Sequence, residues 1–197
     1  MTQLPVIQPG RTDASTPVFR TIGIVGLGLI GGSIALAARE LWPSALVVGV
    51  DRPEVLEAAM RHHAVDLGAP ELHILGDVDL VVLAAPVRQN LQLLPQLVGH
   101  VKASAVVTDV GSTKAEVVRQ AGNVLGKNAG RSFLAGHPMA GKEQSGVEFA
   151  DPDLFQGCTH RSFHLRLASS RLSLLSVDLA SFFELLDQTS NRSFPLG

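Results

Sequence analysis

The chain has 197 residues, 46% of them hydrophobic and 17% charged, with a formal net charge of −2 at pH 7. That length suits one domain with a small appendage and a sizeable core, and the near-neutral charge argues against nucleic acid or an anionic membrane as partner. The single cysteine, Cys158, excludes an intramolecular disulfide framework. No apolar run reaches transmembrane length, and the first twenty residues lack the apolar stretch of a secretory signal. A cytoplasmic enzyme is the expectation.

Residues 1–20 mix Pro, Thr, Gln, Ser and Asp without periodicity and read as a flexible leader. The stretch TIGIVGLGLIGGS, residues 21–33, then organises everything that follows. Ile22 to Val25 reads as a short buried strand. Gly26, Gly28 and Gly31 follow in G-x-G-x-x-G spacing, and Ser33 to Leu41 carries a helical pattern. A second apolar run, residues 45–50, closes on Asp51, 20 residues after Gly31. Each part suits a dinucleotide. Gly26 permits a tight turn, Gly28 lets a pyrophosphate approach the backbone, and Gly31 lets helix and strand pack closely. The helix N-terminus that follows offers free amides and a positive dipole end to the phosphates, and Leu29 and Ile30 of the loop are expected beside the cofactor. Asp51 suits the adenine-ribose hydroxyls. A lone glycine pattern is weak, but a strand before it, a helix after it and an acid at this distance make it strong.

Further on, Pro53 suits a helix start, and that helix is expected to reach about His63. A short third strand is expected over Leu72 to Leu75. Asp79 to Ala85 reads as a buried strand stopped by Pro86. Helical spacing returns from Arg88 to Val98, with Pro95 as a kink or break. Ala105 to Asp109 is another strand. Ser112 or Thr113 is the expected cap of a helix beginning near Lys114, with Lys114 itself solvated. Ser132 to Ala135 is the last strand before Gly136-His137-Pro138. Strands alternating with helices in this way imply an α/β fold, a doubly wound parallel sheet of Rossmann type. Ligands of such sheets sit beyond the carboxyl ends of the strands, where Gly26, Asp51, Pro86, Gly111 and His137 all fall. Ala84, Ala85 and Pro86 suit a small-residue wall against the cofactor. Arg52 complicates the cofactor: Asp51 favours NAD by repelling a 2′-phosphate, whereas an adjacent arginine accommodates NADP. NAD is the expectation, with NADP as the alternative.

Four stretches beyond the glycine loop carry chemistry: AAPV (84–87), TDVGSTK (108–114), GHPMAGKEQSG (136–146) and VEFADPDLF (147–155). Their order and wording resemble the prephenate dehydrogenases, a family that includes arogenate and cyclohexadienyl dehydrogenases of tyrosine biosynthesis. The resemblance covers about residues 21–160. It implies oxidative decarboxylation of a 4-hydroxycyclohexadienyl ring, with hydride passing from ring C4 to NAD or NADP. It also implies that His137 contacts the ring hydroxyl and eases its deprotonation, and that Ser112 helps position both. The chemistry accords with these residue types. As C4 loses hydride its hydroxyl becomes acidic, and a neutral imidazole is suited to take that proton near neutral pH. Lys142, Glu143, Gln144 and Ser145 either line the substrate mouth or form a polar loop. The other six histidines read as surface or packing residues, and Cys158 as a buried thiol. No metal site is expected.

Past His160 the wording changes. Residues 161–197 are rich in Ser, Leu, Arg and Phe, with no Lys and no Gly before Gly197. The family resemblance implies a helical domain that dimerises and supplies further substrate contacts. The expectation here is an atypical tail, out of frame or truncated, with an amphipathic helix over 171–187 and poor turnover by this chain. The alternatives are a non-catalytic dinucleotide-binding remnant and another Rossmann oxidoreductase, such as a 3-hydroxyacid dehydrogenase.

Overall fold

The computed structural model describes residues 17, 19–125, 133–138 and 140–155, and the backbone of three two-residue strands beyond them. The chain runs β1 (Thr21–Val25), α1 (Leu29–Leu41), β2 (Leu46–Val50), α2 (Pro53–Arg61), β3 (Leu67–Ala69), β4 (Leu80–Leu83), α3 (Val87–Leu97), β5 (Val106–Asp109), α4 (Ala115–Leu125) and β6 (Phe133–Ala135). Three further strands are β7 (Phe163–His164), β8 (Arg166–Leu167) and β9 (Ser176–Val177). The main sheet has the order β3-β2-β1-β4-β5-β6-β8. Its first six strands are parallel, and β8 closes the edge antiparallel to β6. This is the 3-2-1-4-5-6 order of a Rossmann fold.

Burial explains why the strands read as unbroken apolar runs. Every residue of β4 is inaccessible to solvent, because helices cover both sheet faces. Alternation divides the side chains. Ile22, Ile24, Val47, Leu80 and Val82 pack with Ile34, Ala35 and Ala38 of α1 and Leu56 and Ala59 of α2. Val25, Val48, Val81, Leu83 and Val107 pack with Leu94 and Leu97 of α3 and Val117 and Ala121 of α4. Each large side chain buried this way contributes roughly 1.5–3 kcal/mol.

The expected third strand at Leu72–Leu75 is instead a 3-10 turn, and β3 lies earlier, at Leu67–Ala69. Leu72 and Leu75, three residues apart, both turn inward, a spacing that a single helical turn satisfies and a strand does not. Helix α3 continues through Pro95; Leu94 and Leu97 on either side are buried and hold it. Phe19, placed by the sequence in the leader, belongs to the core. Residues 1–16 and most of 161–197 lie outside the described residues, as does Cys158. Of the expected tail helix only Ser176–Val177 is described, and there the backbone is a strand paired with Phe163–His164. No helix among the described residues is long and apolar enough to cross a membrane.

The edge of the sheet opposite the strand carboxyl ends is pinned by Asp79. Its Oδ2 accepts the N–H groups of Arg20 and Thr21 at 3.0 and 3.1 Å, and its Oδ1 accepts Lys102 Nζ at 2.6 Å. Burial alone would raise this carboxyl, but the Lys102 and backbone hydrogen bonds outweigh it and hold the group below its ordinary value. The stabilisation is therefore present above the unfolded carboxyl value and is lost as pH falls through the lower, folded value. Asp79→Asn should lower stability by about 1 kcal/mol near pH 7, discounted for solvent screening. Urea midpoints of variant and wild type should converge in strong acid; a gap that persists there would contradict this assignment.

Candidate functional site

Six parallel strands point the same way, so the residues that follow them share one edge. There the chain opens a cleft of about 1800 Å³. The glycine loop enters it between β1 and β4, where the strand order reverses, the switch point at which such sheets bind ligands.

The three glycines have separable reasons. Gly26 has φ +92°, and a Cβ there would lie 2.4 Å from the Ala85 nitrogen. A Cβ at Gly31 would lie 1.9 Å from the Gly26 carbonyl oxygen. These two serve the fold. A Cβ at Gly28 would meet nothing within 4 Å, so the space it leaves faces the cleft. Gly28 is the N-cap of α1, and its carbonyl takes the first helical bond, from Gly32 N–H at 2.8 Å. Leu29 and Ile30 line the cleft, and amides in this first turn have no partner within the helix. Ala84, Ala85 and Pro86 line the cleft directly after β4.

Asp51 stands on the β2 side. Its Oδ2 accepts Leu27 N–H at 2.7 Å and its Oδ1 accepts Arg52 N–H at 2.8 Å. The carboxylate is thereby fixed against the glycine loop, with acceptor capacity left over. Arg52 is exposed and pairs with Glu54 at 3.4 Å. Both residues line the cleft. Glu54 was invisible to motif reading, because no fingerprint position marks it.

On the β5 and β6 side, Ser112 is exposed and lines the cleft. His137 is half-buried and follows the end of β6, on the same edge as Gly28 and roughly 14 Å away by strand spacing. It is not among the residues lining the cleft. Lys114 is not solvated as expected. Its ammonium is largely buried and donates to the Asp109 carboxylate and to the Gly136 carbonyl. The first α4 bond runs from Val118 N–H to the Lys114 carbonyl, so Lys114 stands at the cap position expected of Ser112 or Thr113. Burial pushes the Asp109 carboxyl up and the Lys114 ammonium down, each opposed by the other's charge.

The segment after His137 returns across α1. Asp151 N–H donates to Ser33 Oγ at 2.9 Å, and Val147, Leu154 and Phe155 are buried in the core cluster that includes α1. A Cβ at Gly32 would lie 2.9 Å from the Ala150 Cβ and 3.0 Å from Val147 Cγ2. The VEFADPDLF stretch is therefore mainly packing. Ser145 reaches the cleft. Lys142 pairs with Asp151 at 2.7 Å, and Glu143 and Gln144 are exposed outside the cleft lining. His73 and His100, read from sequence as surface or packing residues, are exposed on the cleft wall. The described residues contain no cluster of three or more His, Cys, Asp or Glu able to hold a metal.

The matching family model and the similar sequences point to one family. Residues 34–160 match the family model described as prephenate dehydrogenase, nucleotide-binding domain. The chain is 37% identical to the prephenate dehydrogenase of Lactococcus lactis over 85% of its own length and 47% of the relative's. Against that of Bacillus subtilis it is 40% identical over 69% of its length and 37% of the relative's. The chain thus spans half or less of these curated relatives. The Aquifex aeolicus prephenate dehydrogenase, solved with hydroxyphenyl propionate and NAD+, superposes with a TM-score of 0.70 at 28% identity, covering 87% of this chain and 57% of that one. The Synechocystis arogenate dehydrogenase gives 0.69 at 28%, covering 87% and 58%. With the family model spanning most of its residues, the chain belongs to the prephenate dehydrogenase family, as its nucleotide-binding domain.

Proposed function

We propose that this domain holds NAD in a dehydrogenase that oxidises and decarboxylates prephenate or arogenate. The observation that carries the reading is the space at Gly28: its missing side chain is required by no neighbour in the fold, yet it opens beside the unpaired amides of a helix start. The phosphates of the dinucleotide fit there. The fixed Asp51 carboxylate suits the adenine-ribose hydroxyls. Glu54 draws the Arg52 side chain to itself and adds a second negative group, which disfavours a 2′-phosphate and supports NAD over NADP.

Bound NAD supplies the hydride acceptor, and the protein binds, orients and moves a proton. Ala84, Ala85 and Pro86 form a close wall along the cofactor. In this reading His137 takes the proton of the ring hydroxyl as hydride leaves the same carbon, and Ser112 orients that hydroxyl. Ser145 adds a polar contact at the mouth, while Lys142, Glu143 and Gln144 act outside it. Further substrate contacts and dimerisation come from the family's helical domain.

Titration of the chain with NAD tests the cofactor half. Gly28→Ala should weaken binding tenfold or more, about 1.4 kcal/mol, with an unchanged melting temperature. Gly31→Ala should instead lower the melting temperature, because its methyl has no room. Equal NAD affinity in wild type and Gly28→Ala would overturn the assignment. Turnover of prephenate against arogenate by a form that carries the helical domain then identifies the substrate.

A further inference from the structure

The Asp109–Lys114 pair lies under the part of the edge that carries Ser112 and His137. The Asp109 carboxylate is inaccessible to solvent, and Lys114 is largely buried beside it. Asp109 Oδ2 accepts Gly111 N–H at 3.1 Å, which ties down the residue before Ser112. Lys114 donates to the carbonyl of Gly136, the residue before His137. Gly136 N–H in turn donates to the Asp109 carbonyl at 2.9 Å. Both backbone groups of Gly136 are therefore held, and the peptide plane leading into His137 is fixed. Asp109 Oδ1 is buried and has no hydrogen-bond partner among the described residues. A charge pair with one oxygen unsatisfied is a poor device for stability alone, since desolvation offsets most of its attraction.

We infer that Asp109 and Lys114 are positioning residues, which set the placement of Ser112 and His137 relative to each other by clamping Gly111 and Gly136. The inference rests on the proposed roles of those two residues. The pair touches neither substrate nor cofactor in this account. It acts by bracing the ends of β5 and β6 where their ladder finishes, at Asp109 opposite Ala135.

The test is the double variant Asp109→Asn/Lys114→Met, which removes both charges and keeps much of their volume. Three measurements are made on the full chain: melting temperature, NAD titration, and the pH titration of the His137 ring followed by NMR. The expected result is a folded protein with wild-type NAD affinity and a displaced His137 ring signal. In an active protein of the family, the equivalent change should lower kcat by up to about 10²-fold, the penalty of a misplacement near 1 Å, with the KM for NAD unchanged. Lys114→Ala should show the same displaced signal, and added ethylammonium should restore it. An unaltered His137 signal in a folded double variant overturns the inference, as does a double variant that does not fold, since the pair is then structural. Loss of NAD binding in the wild type would instead overturn the proposed function, and the His137 signal would still report on the clamp.

Discussion

In a full-length relative, replacing the counterpart of His137 with Asn should lower prephenate or arogenate turnover by about 10² to 10⁴, the usual contribution of a general base, while NAD affinity stays at its wild-type value. The separation follows from geometry. Gly26, Gly28 and the first turn of α1 form one end of the cleft with Asp51 beside them, and in the proposed reading these residues take the phosphates and the ribose. His137 lies beyond β6, three strands away from β1 in the sheet order. Asparagine keeps a polar planar side chain of similar reach and removes the titratable nitrogen. Steady-state rates beside an NAD titration make the comparison. A parallel loss of both would show that the imidazole supports the edge of the sheet and does no proton chemistry.

The second large effect concerns stability. Either Asp109→Asn or Lys114→Met alone should destabilise the fold by about 3–5 kcal/mol, because each strands the other's charge in the interior. The double variant should recover most of that loss. The pH signs follow from burial. The Asp109 carboxyl is raised, so its ionisation opposes folding increasingly as pH climbs from the unfolded carboxyl value through the folded one. The Lys114 ammonium is lowered, so the fold gains as pH rises from the folded value toward the ordinary lysine value. The double variant should lose both dependences. Urea midpoints of the four proteins complete the cycle; losses that simply add would mean that the two groups do not share one interaction.

The sheet order was open to reading because each central strand is an apolar run and each is followed by turn chemistry. Ile22–Val25, residues 45–50 and Ala105–Asp109 differ little from the observed β1, β2 and β5. The third strand was misplaced because Leu72, Ile74 and Leu75 look more like a strand than Leu67-Gly68-Ala69 do. Only their packing into the cluster with Val25, Val48 and Val81 shows that Leu72 and Leu75 are turned inward together. Lys114 was misread for a related reason. A lysine at a helix start is ordinarily solvated, and nothing in its neighbours announces that Asp109, five residues earlier, is buried beneath it. That the glycine loop and Asp51 share one cleft was legible because each directly follows the end of a parallel strand. Glu54, His73 and His100 were not, since they reach the cleft only through the way α2, α3 and the 3-10 turn are laid over the sheet.

The contact of Ala150 and Asp151 with Gly32 and Ser33 makes one helix a shared foundation. Its leading turn faces the cleft, and the next two residues carry the returning loop that brings Ser145 to the same opening. A bulkier side chain at Gly32 would lift that loop and tilt the helix beneath it together, so a single misfit would be felt at the glycine loop and at Ser145 alike. The doubled glycine therefore answers to two tenants: the second of the pair is small for the sake of a neighbour more than a hundred residues away along the chain.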